Sequence, residues 1–341
     1  MRLLSTLVAA LATMVLAGQA QAADELKPVN FSLDWAYQGN HGIWALALNK
    51  GMFKDQGLDV TMDRGFGSGD TVSKVAAGTY DIGFADINAV IKFNAQNPDS
   101  RIIGFYQVMD RTPNSIISLA KSGIEKPADL MGHTLGAPEA DSSRMMFPAF
   151  AKTNGIDPEK VKWTSMAPNL REALLVQGQV DAITGFASTS VFNLIAAGVP
   201  RDDIKVMPYA KYGLDLYGSA LIARPDYIEK HPEIIRGFVK ATIDGTIALI
   251  KDPQSGMAAL KEIEPLFDED MEAQRLQYLV DTGVLVSPAL EEHGLGYVDP
   301  KRMEETIKLN AEVYDFSPPS PETIYTTKFL PDQSEREVPK S

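Results

Sequence analysis

The chain has 341 residues, of which 45% are hydrophobic and 23% are charged, and its formal net charge is −13 at pH 7. This length gives one or two domains with a substantial core. The acidic balance argues against binding to nucleic acid or to an anionic membrane surface, and the lack of Cys excludes disulfides, thiolate metal sites and a lipid-modified cysteine.

The first 22 residues have the pattern of a secretory signal peptide. Arg2 precedes an apolar run over 3–17, and Ala20, Gln21 and Ala22 form a small-residue cleavage pattern. The apolar run is shorter than the ~20 residues that a membrane-spanning helix requires. We therefore expect cleavage after Ala22 and export of the mature chain to a Gram-negative periplasm.

The first predicted unit of the mature chain is a strand, a loop and a helix over 31–50. Its apolar run ends at Asp34 and Trp35, a polar loop with two Gly follows, and helical spacing continues to residue 50. In open α/β sheets, ligands bind beyond the carboxyl ends of strands, near helix N-termini. Four side chains are therefore predicted to line a ligand site: Asp34, Trp35, Gln38 and His41.

A second strand–loop–helix unit covers 57–77, and a third strand over 81–85 ends at Asp86. The Gly-rich loop of the second unit carries Ser68, whose hydroxyl and neighbouring amides can hold a ligand oxygen. Capping of the following helix by Ser68 or Asp70 is the alternative. Asp86 and Asn88 are site candidates because they stand at the carboxyl end of the third strand.

The segment 133–186 repeats this order of elements. Gly78-x-x-Asp81 recurs as Gly178-x-x-Asp181, each time after a short amphipathic helix that the Gly can end in a left-handed conformation. The repeat predicts a duplicated α/β architecture.

Four more site candidates come from the second copy and the connection that follows it: Ser142, Arg144, Phe186 and Tyr217. Arg144 is either a surface charge or a bidentate hydrogen-bond donor to an anionic group of the ligand. Tyr217 is a second candidate stacking ring beside Trp35, and Asp34 either accepts from a ligand N–H or caps its own loop.

Two α/β lobes joined by two crossing strands are the simplest architecture for this pattern. Lobe 1 is predicted over 27–117 with 221–341, and lobe 2 over 118–220. The crossings are predicted at 115–120 and 218–223, and the ligand site lies in the cleft between the lobes.

The C-terminal part is predicted to be mainly helical. Its helices are predicted over 233–251, 254–264, 270–284 and 300–313, and the polar tail over 333–341 is predicted to be disordered.

Catalytic patterns are missing from the sequence. The four His residues form no H-x-x-x-H or H-E-x-x-H pair, and no nucleophile elbow or P-loop is present. The predicted site therefore holds a molecule without changing it, and we expect no cofactor, no metal and no enzymatic activity.

The sequence resembles solute-binding proteins of ABC importers, and among them the NMT1/THI5-like group. The resemblance rests on the strand ending in LDW and on the runs GIWALALNKGMFKDQGLDV, AAGTYDIGFAD and VQGQVDAITGF. It implies a two-lobed type II periplasmic-binding-protein fold that closes on its ligand, with an inner-membrane permease and its ATPase as partners. We expect a monomer.

The ligand that this resemblance implies is a small planar, pyrimidine-like or aromatic solute, or an anionic organic one. The LDW sequence suggests the pyrimidine-binding branch, in which an aromatic residue at this strand end, here Trp35, stacks on the ring. Two alternatives are an exported sensor for a receptor kinase and a THI5-like enzyme of pyrimidine synthesis. The THI5 enzymes carry a Cys-rich motif, which this chain lacks.

Overall fold

The computed structural model describes residues 25–339, so the predicted signal peptide and its cleavage site lie outside the described residues. The described part contains two five-stranded mixed sheets with helices packed against them. None of the helices within 25–339 is long and apolar enough to cross a membrane.

The strands alternate with helices along most of the chain. The strands are β1 (Lys27–Ser32), β2 (Leu58–Asp63), β3 (Ile82–Asp86), β4 (Ile103–Gln107), β5 (Asn114–Leu119), β6 (Thr134–Ala137), β7 (Lys162–Ser165), β8 (Ala182–Phe186), β9 (Ile204–Pro208) and β10 (Ser219–Ala223). The helices are α1 (Gly42–Asn49), α2 (Met52–Asp55), α3 (Ser68–Ala76), α4 (Ile87–Gln96), α5 (Ser142–Thr153), α6 (Arg171–Val176), α7 (Ala187–Ala196), α8 (Pro225–Lys230), α9 (Pro232–Lys251), α10 (Pro253–Ile263), α11 (Glu269–Asp281), α12 (Pro288–His293) and α13 (Pro300–Tyr314).

The two sheets have the same strand order. The first is β2-β1-β3-β10-β4 and the second is β7-β6-β8-β5-β9. In each, the fourth strand runs antiparallel to its neighbours and is the first strand after the chain has passed from the other sheet. The chain therefore passes between the sheets over 108–113 and returns over 209–218, next to the strands predicted to cross. We call each sheet with its packed helices the first and the second lobe; the exact lobe limits stay a prediction.

The Gly-x-x-Asp repeat has the same structural role in both lobes. Gly78 and Gly178 have φ values of 76° and 71°, the left-handed helix stop that the sequence predicts. The carboxylate of Asp81 accepts from a backbone N–H of β1 at 2.9 Å, and that of Asp181 from one of β6 at 2.8 Å. Each Asp thus ties the start of the third strand of its lobe to the first.

Aromatic side chains of the core pack around β1 and α1, on either side of the loop that joins them. Phe31 packs edge-on against Trp44 and Phe238, with ring centroids 5.1 and 5.0 Å apart. Trp44 is fully buried, and its indole N–H donates to the Thr242 hydroxyl at 3.1 Å. This packing fixes α1 against β1 and α9, and so fixes the loop between β1 and α1.

The C-terminal helices α9, α10, α11 and α13 match their predicted spans to within three residues at each end. The tail differs from its prediction. Over 333–339 it contains a short 3₁₀ turn, and the Arg336 guanidinium donates to the carbonyls of His293, Leu295 and Pro331 at 2.8 to 3.1 Å. These bonds hold the tail against the first lobe.

Candidate functional site

A small cavity lies where the carboxyl ends of the strands of both lobes meet. Its walls come from three residues of the first lobe and five of the second: Asp34, Trp35 and Ser68, and Asp141, Ser142, Arg171, Phe186 and Thr189. The centre of a water molecule can occupy only ≈ 20 Å³ of this space, which is room for about one water. The lobes are therefore closed on each other in this structure.

Trp35 and Arg171 face each other across the cavity. The Arg171 guanidinium carbon lies 5.1 Å from the centroid of the Trp35 ring, within cation–π distance. Trp35 is half-buried, whereas Arg171 is 1% exposed. The guanidinium also bonds Asp141 at 3.1 Å and Glu172 at 2.9 and 3.0 Å. These bonds hold the planar Arg171 guanidinium in place over the Trp35 ring.

Asp34 is one of the residues that line the cavity. Its Oδ1 lies 3.2 Å from His41 Nε2, and His41 Nδ1 accepts from the backbone N–H of Gln38 at 3.0 Å. Since Nδ1 is the acceptor, Nε2 carries the proton and donates to Asp34. Within residues 25–339, no hydrogen bond reaches Asp34 Oδ2. This oxygen can accept from a ligand N–H, and the side chain does not cap the backbone of its own loop.

A buried polar network underlies the cavity floor. Asp86 accepts from the backbone and side-chain N–H groups of Asn88 at 2.9 and 2.7 Å, and from the Asn114 amide at 3.2 Å. The Asn114 carbonyl oxygen accepts from the hydroxyls of Ser142 and Ser143 at 3.1 and 2.7 Å. Burial raises the pKa of Asp86 to about 6, although these hydrogen bonds act in the opposite direction.

Carboxylates outnumber cations around the cavity. Asp34 and Asp141 line it and Glu172 lies directly behind it, and the guanidinium of Arg171 in the lining pairs with Asp141 and Glu172. Burial raises the pKa of the Asp141 carboxyl, while the adjacent Arg171 acts to lower it. The cavity therefore suits groups that donate hydrogen bonds better than it suits anions.

Further contacts join the lobes around the cavity. The Thr189 hydroxyl donates to the side-chain carbonyl of Gln38 at 3.0 Å, and Gly69 N–H donates to the Ala140 carbonyl at 3.2 Å. Arg275, on α11 of the first lobe, is 1% exposed and donates to the carbonyls of Ser188 and Thr189, both at 3.0 Å. Gln38, predicted as a ligand contact, thus joins the lobes in this structure.

The structure brings most of the predicted site residues together, in two layers. Five line the cavity: Asp34, Trp35, Ser68, Ser142 and Phe186. Four lie directly behind it: Gln38, His41, Asp86 and Asn88. Ser68 does not cap α3, whose N-cap is Gly67; its hydroxyl accepts from Asp86 N–H at 3.1 Å.

Arg144 and Tyr217 lie away from the cavity. The Arg144 guanidinium donates to the Ala137 carbonyl at 2.8 Å and lies over the Trp163 ring, so it is neither free on the surface nor directed at a ligand. Tyr217 is buried, and its hydroxyl accepts from Asp299 N–H at 2.8 Å. Its ring is covered by Arg302 at 4.2 Å, which leaves no face for stacking on a ligand.

Sequence reasoning missed Asp141 and Arg171 as site residues. The duplication contains a signal for Arg171, since it begins α6 in the second lobe as Ser68 begins α3 in the first. Asp141 is the N-cap of α5 and accepts from Arg144 N–H at 2.9 Å, so helix capping alone accounts for its place in the sequence.

A sequence model of the protein family described as NMT1/THI5 like matches residues 38–256. A formylaminopyrimidine-binding protein from Halalkalibacterium halodurans is 24% identical over 238 residues, 70% of this chain and 71% of that protein. A 4-amino-5-hydroxymethyl-2-methylpyrimidine phosphate synthase from Legionella pneumophila is 21% identical over 308 residues, 89% of this chain and 92% of that protein.

A solved structure with the same fold is the alkanesulfonate-binding protein from Xanthomonas axonopodis pv. citri, bound to MOPS. Its TM-score is 0.68 at 13% identity, and the match covers 89% of this chain and 99% of that one. The likeness confirms the predicted two-lobed periplasmic-binding-protein fold.

Proposed function

We propose, on the premise that this chain belongs to the NMT1/THI5-like family, that it is the solute-binding component of an ABC importer. It captures a small planar heterocycle that carries N–H donors, holds it between the lobes and delivers it to a permease. Export to the periplasm by the N-terminal segment is part of this proposal.

The observation that carries the proposal is the pair of flat groups facing each other across the cleft. The Arg171 guanidinium carbon lies 5.1 Å from the Trp35 ring centroid while the lobes are closed on each other. A planar ring between them needs about 7 Å, which is two contact distances of about 3.5 Å each. An opening of about 2 Å therefore admits a ring that stacks on the indole and on the guanidinium.

The polar groups that line the cavity favour a ligand with N–H groups. Asp34 Oδ2 is an acceptor without a protein donor among residues 25–339, and the polar residues Ser68 and Ser142 also line the cavity. An aminopyrimidine supplies both N–H donors and ring-nitrogen acceptors to such groups. The buried carboxylates disfavour a sulfonate or nitrate, although proteins that bind those anions have the same fold.

An enzymatic role is the second candidate, because several relatives are named as pyrimidine phosphate synthases. The proposal of a binding protein is supported by the cavity lining, which has no Cys, Lys or His and in which no Ser or Thr hydroxyl is hydrogen-bonded to a His within residues 25–339. Mass spectrometry of a candidate ligand after incubation with the protein separates the two roles. A changed mass would favour the enzyme.

The direct test is titration calorimetry on the mature chain, freed of co-purified ligand by unfolding and refolding. The probes are 4-amino-2-methylpyrimidine, an alkanesulfonate, an aryl sulfonate and nitrate. We expect heat from the aminopyrimidine and none from the three anions. Trp35→Ala should weaken binding by about 30-fold, since loss of stacking is worth about 2 kcal/mol. Tight binding of an anion, or unchanged affinity in this variant, would refute the proposed ligand class.

A further inference from the structure

A larger cavity, of ≈ 350 Å³, lies beside the segments that connect the lobes. Its volume is in the range of small-molecule sites, about 300–1,000 Å³. One wall consists of Ala187 of the second lobe with Pro113 and Ala210 of the connecting segments, and the other of Leu279 and Val284 of the first lobe. The cavity therefore exists only while the two lobes are held in this arrangement.

This cavity is separate from the one that holds Trp35. The two share a partition but no lining residue: Ala187 lines the larger cavity, whereas its neighbour Phe186 lines the smaller. Ala187 N–H donates to the Pro113 carbonyl at 3.2 Å, which ties two lining residues of the larger cavity to each other. A molecule in the larger cavity does not contact the Trp35 ring.

The charge of the larger cavity is opposite to that of the smaller one. The buried part of its lining is mainly apolar, with Ala187, Leu279 and Val284 beside the hydroxyl side chains of Thr112 and Ser115. Its exposed part carries Arg111 and Lys211 against a single carboxylate, Asp215. Asp215 pairs with Arg111 at 3.5 Å, and both side chains are about half exposed. Lys211 is exposed and has no ion pair among residues 25–339. The lining thus has a net positive charge in a chain whose formal net charge is −13.

We infer that this cavity is a second binding site, specific for a small organic anion with an apolar body, such as an aryl carboxylate. The apolar body fills the space between Ala187, Ala210 and Val284, and the carboxylate meets Arg111 and Lys211 at the solvent edge. An inorganic anion lacks the apolar part, and an organic cation meets the wrong charge.

The test is ligand-observed NMR and calorimetry on the mature chain with three probes of one shape: 2-naphthoate, 2-naphthol and 2-naphthylmethylammonium. We expect 2-naphthoate to bind most tightly and the ammonium compound least. Arg111→Gln and Lys211→Gln should each weaken naphthoate binding by about threefold, the size expected for an exposed charge pair. Lys162→Gln, an exposed lysine on β7, is the matched control and should leave it unchanged.

Two further variants separate this site from the cleft. Ala210→Trp fills the cavity and should abolish naphthoate binding; if it does not fold, the two charge variants decide. Trp35→Ala should not change naphthoate binding, whether or not the cleft takes an aminopyrimidine. Naphthoate binding that is lost in Trp35→Ala, or that is equal in the charge variants and the wild type, would overturn the inference.

Discussion

Asp86 should make the protein less stable as the pH rises from 4 to 7. Its carboxyl is fully buried between the lobes, and burial raises its pKa from 3.8 to about 6. An acid with a raised pKa in the folded state favours folding while it is protonated. This contribution is complete below pH 3.8, where the unfolded chain is also protonated, and is lost as the pH rises through about 6.

The size of the effect follows from the two pKa values. One pKa unit corresponds to about 1.36 kcal/mol, so the step from 3.8 to about 6 is worth about 3 kcal/mol in full. Measurement between pH 4 and 8 captures about 2–3 kcal/mol of it. The Tyr314 hydroxyl is an ionisable group near Asp86, and it stays neutral in this range because burial raises its pKa.

The assay is urea unfolding of the wild type and of Asp86→Asn at pH 4, 5, 6, 7 and 8. Asn keeps the shape and accepts from Asn88 N–H, but it does not titrate. Burial also raises the pKa values of Asp141 and Glu272, and their pH dependence is common to both proteins, so the difference isolates Asp86. Asp99→Asn, at an exposed loop position, is the control.

If the wild type and Asp86→Asn lose the same free energy between pH 4 and 8, to within about 1 kcal/mol, the argument from burial is wrong. A curve of Asp99→Asn that departs from the wild type in the same way would show that loss of any carboxylate, and not the buried position, causes the change.

Three further predictions concern the closed lobes. Arg171→Met should lower the free energy of unfolding by about 3–5 kcal/mol, since two carboxylates stay buried without their cation; a loss below about 1 kcal/mol in urea unfolding would show that they are solvated. Gly39→Ala should lower it by about 1–3 kcal/mol, because a Cβ there would lie 2.3 Å from the Glu272 carbonyl oxygen. An unchanged melting temperature would contradict that clash. Arg275→Met removes donors to two carbonyls of α7 and should raise the radius of gyration of the unliganded protein in X-ray scattering, whereas an unchanged radius would mean that these bonds do not hold the lobes together.

The part of the site that comes from the first lobe was predictable, because the ends of strands and the starts of helices can be recognised from short stretches of sequence. The apolar run that ends before Asp34 and Trp35 leaves both at the carboxyl edge of a sheet, and the structure puts both in the cavity wall. The Gly-x-x-Asp repeat likewise predicted two lobes of equal topology, because a left-handed helix stop needs Gly in each.

The positions of Tyr217, which was wrongly expected at the site, and of Arg171, which was missed, depend on contacts from other parts of the chain. Tyr217 is buried because Asp299, 82 residues later, donates to its hydroxyl and Arg302 covers its ring. The Arg171 guanidinium fits its place only because Gly185 has no side chain: a Cβ there would lie 2.6 Å from the Arg171 Nη1. No local pattern predicts such a pairing, and helix spacing around Arg171 indicates only the start of a helix.

The same bonds that close the lobes also set how tightly a ligand binds. The cleft has room for about one water, so a ring can enter only after Trp35 and Arg171 separate. Separation breaks the bond between Gln38 and Thr189 and those that Arg275 makes to α7. A ligand held between the closed lobes keeps these lobe–lobe bonds as well as its own contacts, so both contribute to its measured affinity. A variant that weakens only a lobe–lobe bond, away from the ring, should therefore reduce affinity by no more than that bond contributes, whereas loss of Trp35 should reduce affinity directly.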